Sequence, residues 1–176
     1  MPAKVPAAFP AGNQLLEIIL LKPELTHDIH SDIIRLERMR KLQDTPILSS
    51  DDSDNYIITR HIDRAVNQAL SRMQAYLATP SPFVRRISTN HAHEWEEKNI
   101  FLSLPHNWPT HLIDNLRDAV HTYIVKSVEY NILLVALSED SYTALCQLEA
   151  DKAYNEINSI INTRLGTLRI HPTPFG

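Results

Sequence analysis

Glycine is scarce in this chain, and its scarcity removes several classes of binding site. The 176 residues include 3 glycines, whereas ordinary usage near 7% gives about 12. The sequence therefore has no G-x-G-x-x-G loop, no G-x-x-x-x-G-K phosphate loop and no G-x-S-x-G nucleophile elbow. Nucleotide-binding and hydrolase sites that depend on those loops are excluded.

The chain also has a single cysteine and no net positive charge. The single cysteine, Cys146, cannot form an internal disulfide, and one thiol cannot build a zinc site of several cysteines. The formal net charge is −4, so the chain lacks the overall positive electrostatic potential that attracts nucleic acid. No apolar run approaches the roughly 20 residues that span a bilayer, and residues 1–14 do not resemble a signal peptide. We expect a soluble protein made in a cytoplasm.

Proline, by contrast, is frequent and divides the chain. The 11 prolines leave two long proline-free intervals, residues 47–79 and 110–171, where helices fit because proline disrupts a helix interior. In the second interval apolar residues recur at steps of three and four, which predicts a helix over residues 110–137, capped by Thr110. A second helix follows the acidic turn at 138–141, and Gly166 is expected to end it. Two such helices form an antiparallel hairpin.

Two more helices are predicted upstream. The apolar stripe over residues 62–77 predicts one helix, with capping residues at 52–54. Another is expected from a cap at Thr26 or Asp28 to about Lys41.

Three short segments have a different pattern. The apolar run at residues 15–21 fits a helix or a strand, because periodicity alone does not assign so short a run. Residues 83–87 and 99–104 favour short strands, which we expect to pair as a β-hairpin.

The sequence thus predicts a mainly α fold, a helical bundle built on a long antiparallel helix hairpin. A helical domain spans residues 15–166, with the β-hairpin insertion at 83–104. Extended arms flank it at residues 1–14 and 167–176, because proline fixes its own φ and biases the preceding residue away from the α region.

The two arms are candidate partner-binding segments. A purely disordered tail is polar and charged, whereas the C-terminal arm carries apolar residues in an alternating, strand-like order that suits addition to a partner's sheet edge or groove. The alternative is an arm that folds back on its own helices. The N-terminal arm has the same character, with candidate contacts at Val5 and Phe9. The candidate contacts of the C-terminal arm are Leu168, Ile170, Pro172, Pro174 and Phe175.

The histidines and the cysteine give weak signals for chemistry. His27 and His30 share a helix face, and His91 and His93 share one side of a strand, but neither pair has a third metal ligand at motif spacing. We therefore expect surface histidines, with no metal and no cofactor. Cys146 lies on an apolar helix face, where a small buried hydrophobe is expected rather than a catalytic thiolate.

A basic cluster and a tryptophan complete the candidate residues. Arg35, Arg38, Arg40 and Lys41 lie near the end of a predicted helix, where the helix dipole favours cations. They either form a solvated helix end or contact DNA phosphates when many copies line a channel. Trp108 is expected in the core, although an interface anchor is the alternative.

The order of elements resembles the head–tail connector (adaptor) proteins of tailed bacteriophages. The resemblance lies in the helix over residues 59–77, which ends in Ala-Tyr-Leu, and in the long segment 112–165. That segment contains an aromatic-bearing helix with the sequence Asp-Ala-Val-His-Thr-Tyr-Ile-Val, then the acidic turn at 138–141 and the final helix. The resemblance covers residues 50–176. The chain departs from the family in its longer N-terminal region and in the insertion that follows residue 85.

The resemblance implies a structural role in the virion and no enzymatic activity. Connector proteins form rings, commonly of twelve copies, under the portal; they extend the DNA channel and give the tail a docking surface. The C-terminal arm would reach into the portal, and DNA would pass without sequence-specific binding. Two alternatives remain: a cytoplasmic helical adaptor for a protein or peptide partner, and a small hydrolase that uses histidines, carboxylates and a metal.

Overall fold

Four helices and two strands make up the described part of the chain. The computed structural model describes residues 13–40, 47–48, 52–78, 95–137 and 140–165. In chain order the elements are β1 (Asn13–Leu21), α1 (Lys22–Arg40), α2 (Asp52–Arg72), β2 (Glu97–Pro105), α3 (Ile113–Leu137) and α4 (Ser141–Asn162). Short 3₁₀ turns at Gln74–Tyr76 and Thr110–Leu112 lead towards β2 and into α3. The predicted mainly α class is confirmed.

The sheet joins two segments that are far apart in the sequence. β1 and β2 pair antiparallel, with Asn13 opposite Pro105 and Leu21 opposite Glu97. This assigns the ambiguous run at residues 15–21 to a strand, and β1 starts inside the predicted N-terminal arm. The strand predicted at 99–104 is confirmed within β2, but its observed partner is β1 rather than a neighbouring hairpin strand. Residues 83–87 lie outside the described part of the chain.

Side chains alternate across the sheet as expected for a strand with one buried face. Ile18 and Leu20 of β1 point into the core, and the inward residues of β2 are Ile100, Leu102 and Leu104. A one-residue slip would expose all five, so burial fixes the register.

α1 begins earlier than the sequence indicates. The predicted cap at Thr26 or Asp28 is wrong, because the helix already starts at Lys22, directly after β1. Pro23 lies in its first turn, where the fixed φ suits a helix and the missing N–H is not needed. The backbone N–H of Lys22 donates to the carbonyl of Glu96 at 2.8 Å, which fixes this corner against β2.

The α2 start and the α3 cap also differ from prediction. α2 begins at Asp52, so the residues expected to cap it form its first turn, and its α-helical part ends at Arg72. Thr110 does not cap α3; it begins the 3₁₀ turn after Pro109, and no side chain caps that turn.

The hairpin of α3 and α4 is confirmed. The carboxylate of Asp140 caps α4 by accepting a 2.8 Å hydrogen bond from the Tyr142 N–H, as an N-cap aspartate does.

The end of α4 contradicts the prediction that Gly166 terminates it. The helix ends at Asn162, and Thr163 is extended, with φ −64° and ψ 138°. The Leu165 N–H then donates to the carbonyl of Asn107 at 2.8 Å. This hydrogen bond directs the chain towards the loop before α3, and no left-handed glycine is needed. Gly166 itself lies outside the described residues.

One continuous core connects all six elements. Its largest member, Trp108, is 1% exposed, and the indole N–H donates to the Ile160 carbonyl at 2.9 Å. The prediction that Trp108 is a core residue is confirmed. Among the described residues, no helix has the length and apolar character needed to cross a membrane.

Candidate functional site

A ladder of ion pairs joins α1 to α3 along their length. Carboxylates recur on α1 every four residues, and each meets a cationic or histidine side chain of α3. The pairs are Glu24 with Arg117 (2.8 Å), Asp28 with His121 (2.9 Å) and Asp32 with Lys126 (2.8 Å). Because both partners advance together along the chain, α1 and α3 run parallel, and the ladder fixes their register.

A buried polar cluster lies where α1, α3 and α4 meet. The Lys126 ammonium contacts the carboxylates of Asp32 at 2.8 Å, Glu129 at 2.9 Å and Glu149 at 3.8 Å. Glu129 is 1% exposed, and among the described residues its Oε1 has no hydrogen-bond partner. Burial raises the pKa of Glu129 to about 7, although Lys126 acts in the opposite direction. The hydrogen bonds and charges of Asp32 and Glu129 outweigh burial and raise the pKa of Lys126.

Cys146 belongs to this cluster as a buried thiol. Its Sγ–H donates a hydrogen bond to Glu129 Oε2, with 3.5 Å between Sγ and the oxygen. Burial, reinforced by the negative charge of Glu129, raises the pKa of Cys146 to about 12. A thiol with that pKa stays protonated at neutral pH, whereas a nucleophilic cysteine needs a lowered pKa. His121 is bonded to Asp28 rather than to this thiol, so no Cys–His pair forms.

A cleft between α1 and α3 contains the residues that most resemble catalytic ones. It has a volume of about 280 Å³, and its lining includes Asp28, Ser31, His121 and Lys126. Asp28 orients the His121 ring, but in the described residues no hydrogen bond joins the Ser31 hydroxyl to that ring. A Ser–His–Asp relay requires both contacts. The cleft therefore holds a histidine in contact with Asp28, and within the described part of the chain no hydroxyl is hydrogen-bonded to its ring.

The predicted histidine pairs form no metal centre in the described residues, where no group of three His, Cys, Asp or Glu side chains is placed to hold a metal ion. The His30 ring nitrogen Nδ1 is 3.0 Å from the Thr26 carbonyl, one helical turn away, and His27 is exposed. His91 and His93 lie outside the described residues.

The basic cluster of α1 divides into two parts. Arg35 and Arg38 are exposed. Arg40 makes a two-pronged ion pair with Asp140, the cap of α4, and so joins the end of α1 to the start of α4. The Arg40 guanidinium holds the pKa of Asp140 below its usual range. Arg40 is therefore committed to an internal contact, and Lys41 lies outside the described residues.

Both predicted arms also fall largely outside the described residues. This applies to Val5 and Phe9 in the N-terminal arm. It applies equally to the five candidate contacts of the C-terminal arm, Leu168, Ile170, Pro172, Pro174 and Phe175.

Trp95 anchors a second polar junction, at the start of α1. Its indole N–H donates to the Asp63 carboxylate at 2.6 Å, and the Lys22 ammonium is 3.3 Å from the same oxygen. The ammonium also lies 4.8 Å from the centre of the Trp95 ring, within range of a cation–π interaction. Trp95 thus joins the segment before β2 to α1 and α2.

Large apolar side chains remain exposed near the end of the hairpin where α3 turns into α4. Val135 is 87% exposed and Leu148 is 65% exposed. Leu134 and Leu145 have the apolar spacing of their helices, yet they are 37% and 44% exposed. We call these four residues the hairpin-end apolar set; a core-forming role does not account for them.

Sequence reasoning also missed two exposed arginines on α2, Arg60 and Arg64. Their spacing of four residues was the available signal, but the position of neighbouring carboxylates emerges only in the fold.

Comparisons of the chain with protein-family models, with curated proteins and with solved structures find no match.

Proposed function

We propose that this chain is a non-enzymatic structural subunit of a head–tail connector ring in a tailed bacteriophage. The subunit docks under the portal, extends the DNA channel and offers a surface to the tail. It works in the virion at the head–tail interface, after synthesis in the host bacterial cytoplasm. The order of elements in the sequence suggests this family.

The observation that carries the proposal is the exposure of the hairpin-end apolar set. Large exposed apolar patches on soluble proteins mark interaction surfaces. The exposed side chains of Val135 and Leu148 do not stabilise a lone subunit. In a ring, a neighbouring subunit would cover them. In a closed ring many weak contacts act together, so modest contacts per subunit suffice.

The polar groups in the described residues support a structural role as well. Lys126 and Arg40 are both used to join helices, and Cys146 is protonated and buried. These contacts position α1 against α3 and α4 and so make a rigid body. A rigid subunit suits a channel wall that must hold its shape while DNA passes.

The test is co-assembly with the portal protein of the same virus. Full-length protein is expected to form a ring and to bind the portal, while deletion of residues 167–176 abolishes binding and leaves the helical circular dichroism signal unchanged. A matched variant, Leu168→Ser with Ile170→Ser, keeps the arm's length and is expected to weaken binding strongly. A truncated protein that binds at full strength would rule out the arm assignment. A full-length protein that stays monomeric and does not bind the portal would favour the alternative, a cytoplasmic helical adaptor for a protein or peptide partner.

A further inference from the structure

α2 carries an exposed cationic surface that the core-forming contacts do not use. Arg60 and Arg64 are four residues apart and both exposed, so they lie on one helix face about 6 Å apart along the axis. Like charges at this spacing destabilise an isolated helix slightly. Polar residues continue the same face towards the end of the helix, namely Asn67, Gln68 and Ser71.

The carboxylate nearest to these arginines in the sequence, Asp63, lines a groove together with them but makes its ion pair with another residue. Asp63 is buried and is engaged by Lys22 and by the Trp95 indole. Among the described residues, no ion pair involves Arg60 or Arg64. The two arginines also lower the pKa of His61, which is already lowered by burial. The surface therefore carries positive charge that no nearby group in the described residues neutralises.

The shape and composition of this surface suit a protein partner. A groove of about 540 Å³ is lined by Tyr56, Ile57, Arg60, His61 and Arg64. Tyr56 is 59% exposed and Ile57 is 46% exposed. Exposed tyrosine and arginine beside an aliphatic side chain form a combination that is enriched in protein–protein interfaces. A nucleic-acid backbone would make little use of Ile57.

The same chain carries a matching surface of opposite charge. Asp114 and Asp118, in the first turns of α3, are exposed and also four residues apart. Asp118 lies 3.5 Å from Arg117, whose guanidinium is already bound to Glu24 at 2.8 Å. Asp118 is thus only partly neutralised, and Asp114 has no ion pair within the described residues. The acidic pair has the same axial spacing, about 6 Å, as the arginine pair.

We propose that the Arg60–Arg64 face of α2 binds the Asp114–Asp118 turn of α3 on a second copy of this chain. The two like charges within each pair repel each other. In such a contact, each pair lies against charges of the opposite sign, which offset that repulsion. No ion pair joins these four residues within one copy, as far as the described residues extend. Because the two surfaces are different, the contact is heterologous, and such contacts form a ring when the rotation between successive copies closes. The inference rests on the proposed ring and names one of its subunit contacts.

A charge-exchange experiment on the full-length chain tests this contact. Analytical ultracentrifugation at about 50 mM NaCl compares wild type with R60E/R64E and with D114K/D118K. Each variant alone is expected to associate at least about tenfold more weakly, since exposed ion pairs are replaced by like-charge contacts. An equimolar mixture is expected to regain assembly, because each variant then meets its opposite charge. Raising the salt to about 0.5 M weakens wild-type association, as expected of exposed charges.

The controls separate failure of this contact from failure of the ring. K152E reverses an exposed charge elsewhere, on α4, and is expected to assemble as wild type does; circular dichroism verifies that all variants are folded. If R60E/R64E assembles normally, the contact is wrong and the ring stands. If R60E/R64E assembles normally but loses affinity for a duplex DNA probe, the Arg60–Arg64 face binds a polyanion instead. If wild type remains a single copy at every concentration, the ring itself is refuted.

Discussion

Replacing Glu129 with glutamine should remove the pH dependence that this buried carboxylate imposes on the free energy of unfolding. Glu129 is 1% exposed and lies at the junction of α1, α3 and α4. The groups that face it are Lys126 on its own helix, Asp32 on α1 and Cys146 on α4. Glutamine keeps the size and one acceptor oxygen, and it removes the charge.

The magnitude follows from the pKa of this group. Burial raises the pKa of Glu129 from 4.5 to about 7. At about 1.4 kcal/mol per pH unit, this difference corresponds to about 3 kcal/mol of unfolding free energy. Because the folded-state pKa lies above the unfolded value, the contribution is present below about pH 4.5 and is lost as the pH rises through 7. Most of the loss falls between pH 5 and pH 8.

Urea unfolding followed by circular dichroism measures the effect at pH 5, 6, 7 and 8. The unfolding free energy of E129Q minus that of wild type is expected to increase by about 2–3 kcal/mol between pH 5 and pH 8. The matched control is Glu156→Gln, an exposed position on α4, for which the difference should stay nearly constant. A constant difference for E129Q as well would refute the reasoning that Glu129 is held partly protonated by burial.

Three further predictions follow from individual contacts. Trp108→Ala should cost about 3–5 kcal/mol in urea unfolding because a large core side chain is removed, whereas Trp108→Phe, which keeps an aromatic ring but loses the hydrogen bond to Ile160, should cost less; equal losses would contradict the claim that core packing of the ring stabilises the fold. Cys146 should resist a thiol reagent at pH 8 in the folded protein and react fully in urea, because only the thiolate is nucleophilic; rapid reaction of folded protein would contradict its burial. Asp140→Ala should speed amide hydrogen exchange at Tyr142, since it removes both the capping oxygen and the Arg40 ion pair; unchanged exchange would show that the cap does not hold the start of α4.

The helical hairpin was predictable because its signals are local. A periodic apolar stripe, an acidic turn and a capping residue all lie within a few residues of the structure that they specify. The same holds for Trp108 and Cys146, whose residue types and positions on apolar faces indicate burial.

The errors come from contacts between distant segments. Residues 15–21 become a strand because β2 lies beside them, 76 to 88 positions away in sequence, and such pairing leaves no local mark in a short apolar run. The end of α4 is set by the hydrogen bond from Leu165 to Asn107, not by Gly166.

The candidate surfaces were harder to predict than the elements that carry them. Arg40 looked like its basic neighbours, but the fold places Asp140 against it and removes it from the exposed cluster. Arg60 and Arg64 stand out only once Asp63 is seen to pair with Lys22. Charge in a sequence locates candidate contacts, and only the fold shows which charges are already paired.

The mass of the assembly formed by the purified full-length chain with its portal tests the structural-subunit account most directly. Native mass spectrometry together with electron microscopy is expected to show a closed ring of identical copies seated on the portal. A chain that remains a single copy over the whole accessible concentration range, with and without the portal, would contradict the account.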